Sequence, residues 1–583
     1  MKRLAALLLT AAALVAQDPG SDAILRAMEE ELKRAATIRL GGSEPPYFID
    51  YTIEDVDSFT VSATMGGLVG SARSRARVPR VQARVGAYEF DNTSYIFSNF
   101  FSGTRYDPGQ LPLDNDPLAL RHTLWLATDR SYKSAVESLA RKRAALKSIT
   151  QQESLPDFTR AAPVRILQPL EPLRLDEEPW RVRVRTLSAL FRDSPRVLAS
   201  SVDFEFVHSG LYYANSEGTR VRIPDHLAYV RARASGLAVD GMPVRDSVIL
   251  QAQELAELPA EAELRRGILE VAANVTALAA APRAEDYSGP VLVEGVAAPQ
   301  LFAQLLGANL ALSRRPVSEP GRTAPFQASE LEGRQGSRIL PEWMDVVDDP
   351  TQTTWRGRPL FGRYPVDMEG VVPAPLRLVE SGVLKTFLLT RQPVRGFSGS
   401  NGRARMPGQF GAKAAGFGNL FIRASQTVPS ASLKQRLIEM CQQRGKPFGL
   451  ILRKLDYPSS ASFDELRRMG AALGQRGGGR PVSSPILAYR VYPDGREELV
   501  RGLRFRGISA RSLRDILAAG DQETAFDFLA NGSPLALIGS SNFVVASTVV
   551  APAVLFEDLE LERVEEDWPK PPVVPPPGGR GGE

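Results

Sequence analysis

The chain has 583 residues, 43% hydrophobic and 24% charged, with a formal net charge of +4. That length allows roughly two to four cored domains, and the arginines are scattered rather than gathered, which argues against a nucleic-acid-binding surface. A single cysteine, Cys441, excludes an intramolecular disulfide, and three histidines, His122, His208 and His226, leave little scope for imidazole-based metal or nucleophile chemistry.

Residues 1–16 read as a signal peptide, with Lys2 and Arg3 ahead of the apolar run Leu4–Val15 and small residues at Ala13 and Ala16. Export to a periplasm or the extracellular space is therefore expected. No later stretch reaches the length of a membrane-spanning helix, so the mature chain is expected to have no transmembrane segment.

Residues 17–120 read as an N-terminal α/β domain. Ser21 to Arg39 has helical spacing at Ile24, Met28 and Leu32, with Ser21 or Asp22 as the cap. Alternation from Tyr47 to Tyr88 predicts strands about a turn at Gly66-Gly67, with Arg73, Arg75 and Arg77 on a solvated face, and 90–120 reads as a long loop.

Residues 121–285 read as a middle domain. A helix is expected over Leu124–Lys147 and a connector over 151–180. Strands are expected at Val182–Val184, Val202–His208, Leu211–Ala214, Thr219–Ile223 and His226–Ala234, with a hairpin turn at Asn215–Gly218. A helix over Ala260–Ala280 precedes a boundary at Pro282–Ser288.

Residues 286–566 form the C-terminal domain. An apolar strand, Pro290–Val293, leads into a helix with Leu301, Leu305 and Leu312 on one face and Gln300 and Gln304 on another. Residues 396–418 are a glycine-rich loop. Ser432 with Gln435 reads as a capping box for a helix carrying Leu433, Leu437, Ile438 and Cys441, where Cys441 is a buried small hydrophobe. A second capped helix is expected from Ser462 to Leu473, and Gly477–Gly479 lacks the residues of a phosphate loop. Strands follow at Ile486–Val491 and Glu498–Leu503, a helix at Ser509–Ala519, strands at Asn542–Val550 and Val554–Leu561, and a disordered Pro/Gly tail at 567–583. The fold class is α+β, with N-terminal helices and mixed sheet followed by a larger β-rich C-terminal domain.

Seven segments in order carry a resemblance: 212–222 (YYANSEGTRVR), 288–309, 362–391, 398–405 (SGSNGRAR), 418–425, 491–516 and 551–562 (APAVLFEDLELE). The series resembles the TldD/PmbA family of bacterial zinc peptidases, once described as modulators of DNA gyrase. The resemblance implies that active members carry HExxxH on the helix after the strand of 290–293. Its two histidines and a late cysteine hold zinc, and the glutamate acts as base on a zinc-bound water. In this chain the three motif positions fall on Ala303, Gln304 and Ala308, and the cysteine position falls near Ile538-Gly539. Methyl groups cannot bind zinc and a neutral amide cannot take a proton from water, so neither a catalytic nor a metal-ligating residue is assigned.

The expectation is therefore a zinc-free, cofactor-free, non-catalytic TldD/PmbA-like protein. It would bind peptide or unfolded protein, or act as a homodimer or as a heterodimer with a TldD/PmbA-like homologue. Gly399, Asn401, Gly402 and Arg403 of the glycine-rich loop are the candidate peptide-binding residues. Two other readings stay open: an exported peptidase that uses other residues, and a structural or carbohydrate-binding protein of the envelope.

Overall fold

The computed structural model describes residues 22–96, 111–147, 155–318, 328–407, 412–457, 482–531 and 544–566, with Gly321, Phe326 and Trp568. The signal peptide, the helix from Ser462, Gly477–Gly479, Ile538-Gly539 and nearly all of the tail lie outside the described residues. Among the described residues no helix is long and apolar enough to cross a membrane.

The first half is built on one seven-stranded sheet. Helix α1 (Ala23–Ala35) is capped by Asp22, whose Oδ1 accepts from the N–H groups of Ile24 and Leu25, and buries Ile24, Met28 and Leu32. Strands β1 (Pro46–Thr64) and β2 (Gly67–Val85) form a long hairpin, turning at Met65 and Gly66, both at positive φ. Arg73 and Arg75 are exposed on β2, as expected. Arg77 is not: it is buried and donates to Asp55, Asn115 and the carbonyls of Pro112 and Asp114, because the 111–115 segment folds over it.

A two-residue strand β3 (Tyr95–Ile96) is followed by α2 (Pro117–Ala145). This helix starts inside the expected 90–120 loop, with Asp116 accepting from Ala119 N and proline in its first turn. Strand β4 (Arg165–Leu167) precedes α3 (Glu177–Ala189). Val182 and Val184, expected in a strand, are on this helix. Trp180, Val184 and Leu187 fall on one buried face, and the Trp180 ring stacks on Phe204 at 3.7 Å. Packing onto the sheet thus outweighs the β preference of the two valines.

Strand β5 (Ala199–Asn215) is continuous where two strands were expected, followed by β6 (Arg220–Pro224), β7 (Leu227–Leu237) and β8 (Pro243–Ala252). The sheet order is β2-β1-β5-β6-β4, with β7 on β5 and β8 on β7, so β8 is an edge strand. Since β1 pairs with β5 from Asp50 to Ala63, residues 17–120 and 121–285 share one sheet rather than forming two. Helix α4 (Glu261–Ala280) covers one face of β7 and β8 through Leu264, Ile268, Val271, Val275 and Leu278.

The sheet changes between Ala280 and Tyr287. An eleven-stranded sheet is centred on β9 (Tyr287–Val293). The chain continues through α5 (Ala297–Phe302), a π-turn (Ala303–Gly307) and α6 (Ala308–Leu310). Strands β10 (Val317–Ser318), β11 (Met344–Asp348), β12 (Thr354–Trp355), β13 (Arg358–Pro359), β14 (Leu376–Glu380) and β15 (Val383–Leu384) follow. Next come β16 (Ala404–Pro407), β17 (Lys413–Ala415), β18 (Asn419–Ala424), α7 (Ser430–Gln443) and β19 (Gly449–Leu455). The last strands are β20 (Pro485–Val491), β21 (Glu497–Val500), β22 (Leu503–Arg506), β23 (Ile516–Asn531) and β24 (Val544–Arg563). The main path is β15-β14-β11-β18-β24-β9-β19-β20-β21, with β22 and β23 also on β24.

Strand β9 has period-two burial on both faces: Val291 and Val293 pack against α5, and Leu292 packs against Leu433, Leu437 and Cys441 of α7. Helix α7 starts at Ser430, two residues before the expected cap; Ser430 N and Oγ both donate to Asp521 Oδ1 at 3.0 Å. The helix expected over 509–519 is a short 3₁₀ turn, Ala510–Asp515, that runs straight into β23, because pairing with β24 offers Ile516 onward a full ladder. Part of the glycine-rich loop is also ordered, as β16 pairs with β17.

Candidate functional site

Gly295, at φ +58°, turns the chain from β9 into the helix that carries the three motif positions. This helix is buried, with Leu301, Phe302, Leu306 and Leu310 all inaccessible. It is also irregular. Ala308 N donates to the Ala303 carbonyl five residues back, which is the π-turn. Positions five apart diverge around a regular α-helix; the wider turn brings 303 and 308 nearer to one side. Geometry that could aim two side chains at one point is therefore present, and the residues there are two alanines.

Gln304 lies between them. Its Oε1 accepts from the backbone N–H and hydroxyl of Ser483, and its Nε2 donates to the Gln300 carbonyl at 3.0 Å. One turn earlier, Gln300 Oε1 accepts from Leu455 N at 2.8 Å. The two glutamines expected on one face tie the helix to β19 and to the start of the β20 segment. Ala303 is 4% exposed, and Gln304 and Ala308 are half-buried. Phe417 packs directly on Gly307 and lies 6.0 Å, centroid to centroid, from Phe528. Tyr457 lies 5.1 Å from the rings of both Phe526 and Phe528, and burial pushes its phenol well above the usual range.

The peptide-binding candidates are drawn into the fold. Arg403, 1% exposed, donates to Asp348 Oδ2 at 2.8 Å and to the carbonyls of Asp348, Ala374 and Asn401. Asn401 accepts from Leu389 N and donates to the Phe387 carbonyl. Gly402, at φ +76°, lies against Pro373. Gly399 is exposed with open space around it. The loop does adjoin the helix, since Phe417 packs on Gly307, but the polar groups of Asn401 and Arg403 have partners within the chain.

The histidines are elsewhere. His208 and His226, 18 residues apart in sequence, stack at 4.1 Å on the first sheet, bonded to the Glu171 carbonyl and to Glu254. Burial and the neighbouring ring lower the His208 pKa. His122 is exposed on α2. Cys441 is buried, and burial pushes its thiol up. Among the described residues no group of three or more His, Cys, Asp or Glu side chains is placed to hold a metal ion.

A cavity of about 920 Å³ separates the two sheets beside Gln300. Its walls come from β8, α4, the end of β19 with Tyr457, and residues 522–527 of β23. Several charged groups around it are paired: Lys454 with Asp246 at 2.6 Å, Arg453 with Glu294 and Glu497 at 2.7 Å, and Arg363 with Glu257 at 2.7 Å. No sequence signal singled out this site, because its residues come from many separate segments of the chain.

Residues 290–443 match the family model described as the PmbA/TldA metallopeptidase C-terminal domain. Over those residues the chain is similar to the C-terminal domain of the TldD/PmbA family. A protein of Archaeoglobus fulgidus named metalloprotease is 38% identical over 81 residues, 14% of this chain and 18% of its own length. A metalloprotease of Methanothermobacter thermautotrophicus is 42% identical over 64 residues, 11% and 13% respectively. The matched stretch thus spans less than a fifth of either relative.

The TldD/PmbA-like fold extends much further. TldE from Thermococcus kodakarensis superposes with a TM-score of 0.55 at 14% identity, covering 92% of this chain and 100% of that one. A Thermotoga maritima protein designated a candidate modulator of DNA gyrase gives 0.54 at 16% identity, covering 92% and 99%. A zinc ion on the TldD/PmbA-like helix would need donors at 303 and 308. Two methyl groups and an amide oxygen already bonded to Ser483 do not fit one.

Proposed function

We propose that the chain is an exported, non-catalytic TldD/PmbA-like protein that binds peptide or unfolded polypeptide, alone or as a dimer with itself or a TldD/PmbA-like homologue. The observation that carries this reading is the pairing of a π-turn that aligns positions 303 and 308 with alanine at both. Alanine at the two positions where the resemblance implies histidines supports the non-catalytic part of this reading, and the large cavity beside Gln300 supports the binding part. The relatives' name, metalloprotease, would extend to this chain only if other residues did the chemistry.

The test is metal content and chelator-sensitive hydrolysis of an unfolded protein by the purified mature chain. Less than a tenth of an equivalent of zinc and no chelator-sensitive cleavage are expected. One zinc per chain with cleavage abolished by chelator would overturn the reading. Export is tested by cell fractionation and N-terminal sequencing of the mature protein; a chain retained in the cytoplasm with residues 1–16 intact would overturn it.

A further inference from the structure

Strand β8 pairs only with β7 among the described residues, and its other edge faces the cavity. The direction of that edge can be read from Ser247. Its N–H donates to Asp246 Oδ1 at 2.8 Å and its carbonyl accepts from Lys454 Nζ at 2.9 Å, so neither group is engaged with β7. In an antiparallel ladder alternate residues point the same way. The N–H and C=O groups of Ile249 and Gln251 therefore face away from β7, with those of Ser247.

A second observation falls on the same strand. Gln251 is 7% exposed and lines the cavity, and both its Oε1 and its Nε2 lack a hydrogen-bond partner. A buried primary amide is seldom left with donor and acceptor both unmade. Across the cavity, β23 pairs with β24 on one side and on the other only with Val428 at Gly520, among the described residues, so a second strand edge borders the same space from residue 522 on. Cα atoms of β8 and β23 come within 8 Å of each other, so the two edges converge at one end.

We infer that the cavity takes an extended polypeptide segment as an added strand on the free edge of β8, with the Gln251 amide, whose polar atoms are buried here, turning out to hydrogen-bond to it. Backbone pairing supplies affinity without demanding a sequence. Val248, Ile249 and Leu250 are half-exposed beside Phe526 and Tyr457, which gives alternate side chains of the segment an apolar wall. Most charged groups around the cavity have ion-pair partners within the chain, so the ligand need not be charged. From Val248 to Gln253 the edge runs roughly 17 Å, room for a strand of about five residues. This deepens the peptide-binding reading and rests on it.

The experiment uses the full mature chain and a labelled heptapeptide, Ser-Val-Thr-Val-Ser-Val-Lys, with a copy N-methylated at alternate residues and reduced carboxymethylated α-lactalbumin as a general unfolded chain. Two variants are compared: Ile249→Pro, which removes one outward N–H where an edge strand tolerates proline, and Gln251→Leu. Binding by the unmodified peptide is expected, with at least about a tenfold loss on N-methylation or in Ile249→Pro and about fivefold in Gln251→Leu. Hydrogen exchange of the unmutated chain should slow at 247–253 when peptide is added, which decides the matter even if Ile249→Pro fails to fold. Binding within twofold of normal in both variants, or protection only outside 247–253, would overturn this site while leaving peptide binding intact. Failure of the unmutated chain to bind either the peptide or α-lactalbumin would overturn the peptide-binding reading itself.

Discussion

Gln304 Oε1 accepts from Ser483 twice, from the backbone N–H at 2.8 Å and from the hydroxyl at 2.9 Å, while its Nε2 donates to the Gln300 carbonyl. The amide is thus used at both ends. Gln304→Glu keeps the acceptor and replaces the donor with an oxygen facing a carbonyl. A loss of about 1–3 kcal/mol in denaturant unfolding is expected, and no gain of hydrolytic activity. Unchanged stability would mean that the bond to Gln300 contributes little.

Ala303 is more deeply buried than Ala308. Ala303→His should therefore cost about 1–3 kcal/mol by overpacking, and Ala308→His less. This is the reverse of what tight packing at 308 would predict. The triple variant Ala303→His, Gln304→Glu, Ala308→His should remain without chelator-sensitive peptidase activity, because groups that orient metal-bound histidines were never built around it. Robust, chelator-sensitive cleavage by that variant would show a complete latent site.

A Cβ added at Gly307 would lie 2.4 Å from the Phe417 ring. Gly307→Ala should destabilise by about 1–3 kcal/mol. In Phe417→Ala the same change should be tolerated, giving a coupling of roughly 0.5–3 kcal/mol in a double-mutant cycle. Strict additivity would show that the ring moves aside freely.

Arg403 and Gly399, two positions of one loop, should behave oppositely. Arg403→Ala leaves Asp348 as an uncompensated buried carboxylate and should cost about 3–5 kcal/mol. Gly399→Ala meets no neighbour within 4 Å and should change stability by no more than about 0.5 kcal/mol. Thermal melts of the two variants check both, and an Arg403→Ala protein as stable as its parent would contradict the buried pair.

Burial and the adjacent Glu369 push Asp367 up from 3.8 to about 7. A carboxyl whose folded pKa is raised binds its proton more tightly in the folded chain. Its contribution is complete below its unfolded value of 3.8 and is lost as pH rises through about 7. Denaturation midpoints should therefore carry a falling component from about pH 4 to about pH 7, which Asp367→Asn should reduce. Parallel pH profiles in the two proteins would exclude Asp367 as a source of that slope.

Local pattern was enough for several elements. Asp22 ahead of Ile24, Met28 and Leu32 specifies the start and buried face of α1, and Val291 to Val293 specify a fully buried central strand. The place of Cys441 on an apolar stripe is also plain in the chain, since it depends on the spacing of Leu433, Leu437 and Ile438 around it. Periodicity failed where a partner outweighed it. Val182 and Val184 alternate like a strand yet pack as a helix over Phe204, and Ile516 to Ala519 have helical composition yet pair with β24.

Only the tertiary structure brought the site together. The π-turn depends on a backbone bond from Ala308 to Ala303 that no residue type announces. The glycine-rich loop looked like a binding surface, but Arg403 is buried on Asp348, a partner 55 residues away. The cavity joins strand edges from opposite halves of the chain, Gln251 on one and 522–527 on the other. Which edge of a sheet stays open is decided by strand order, and strand order is settled by long-range pairing that composition and periodicity do not encode.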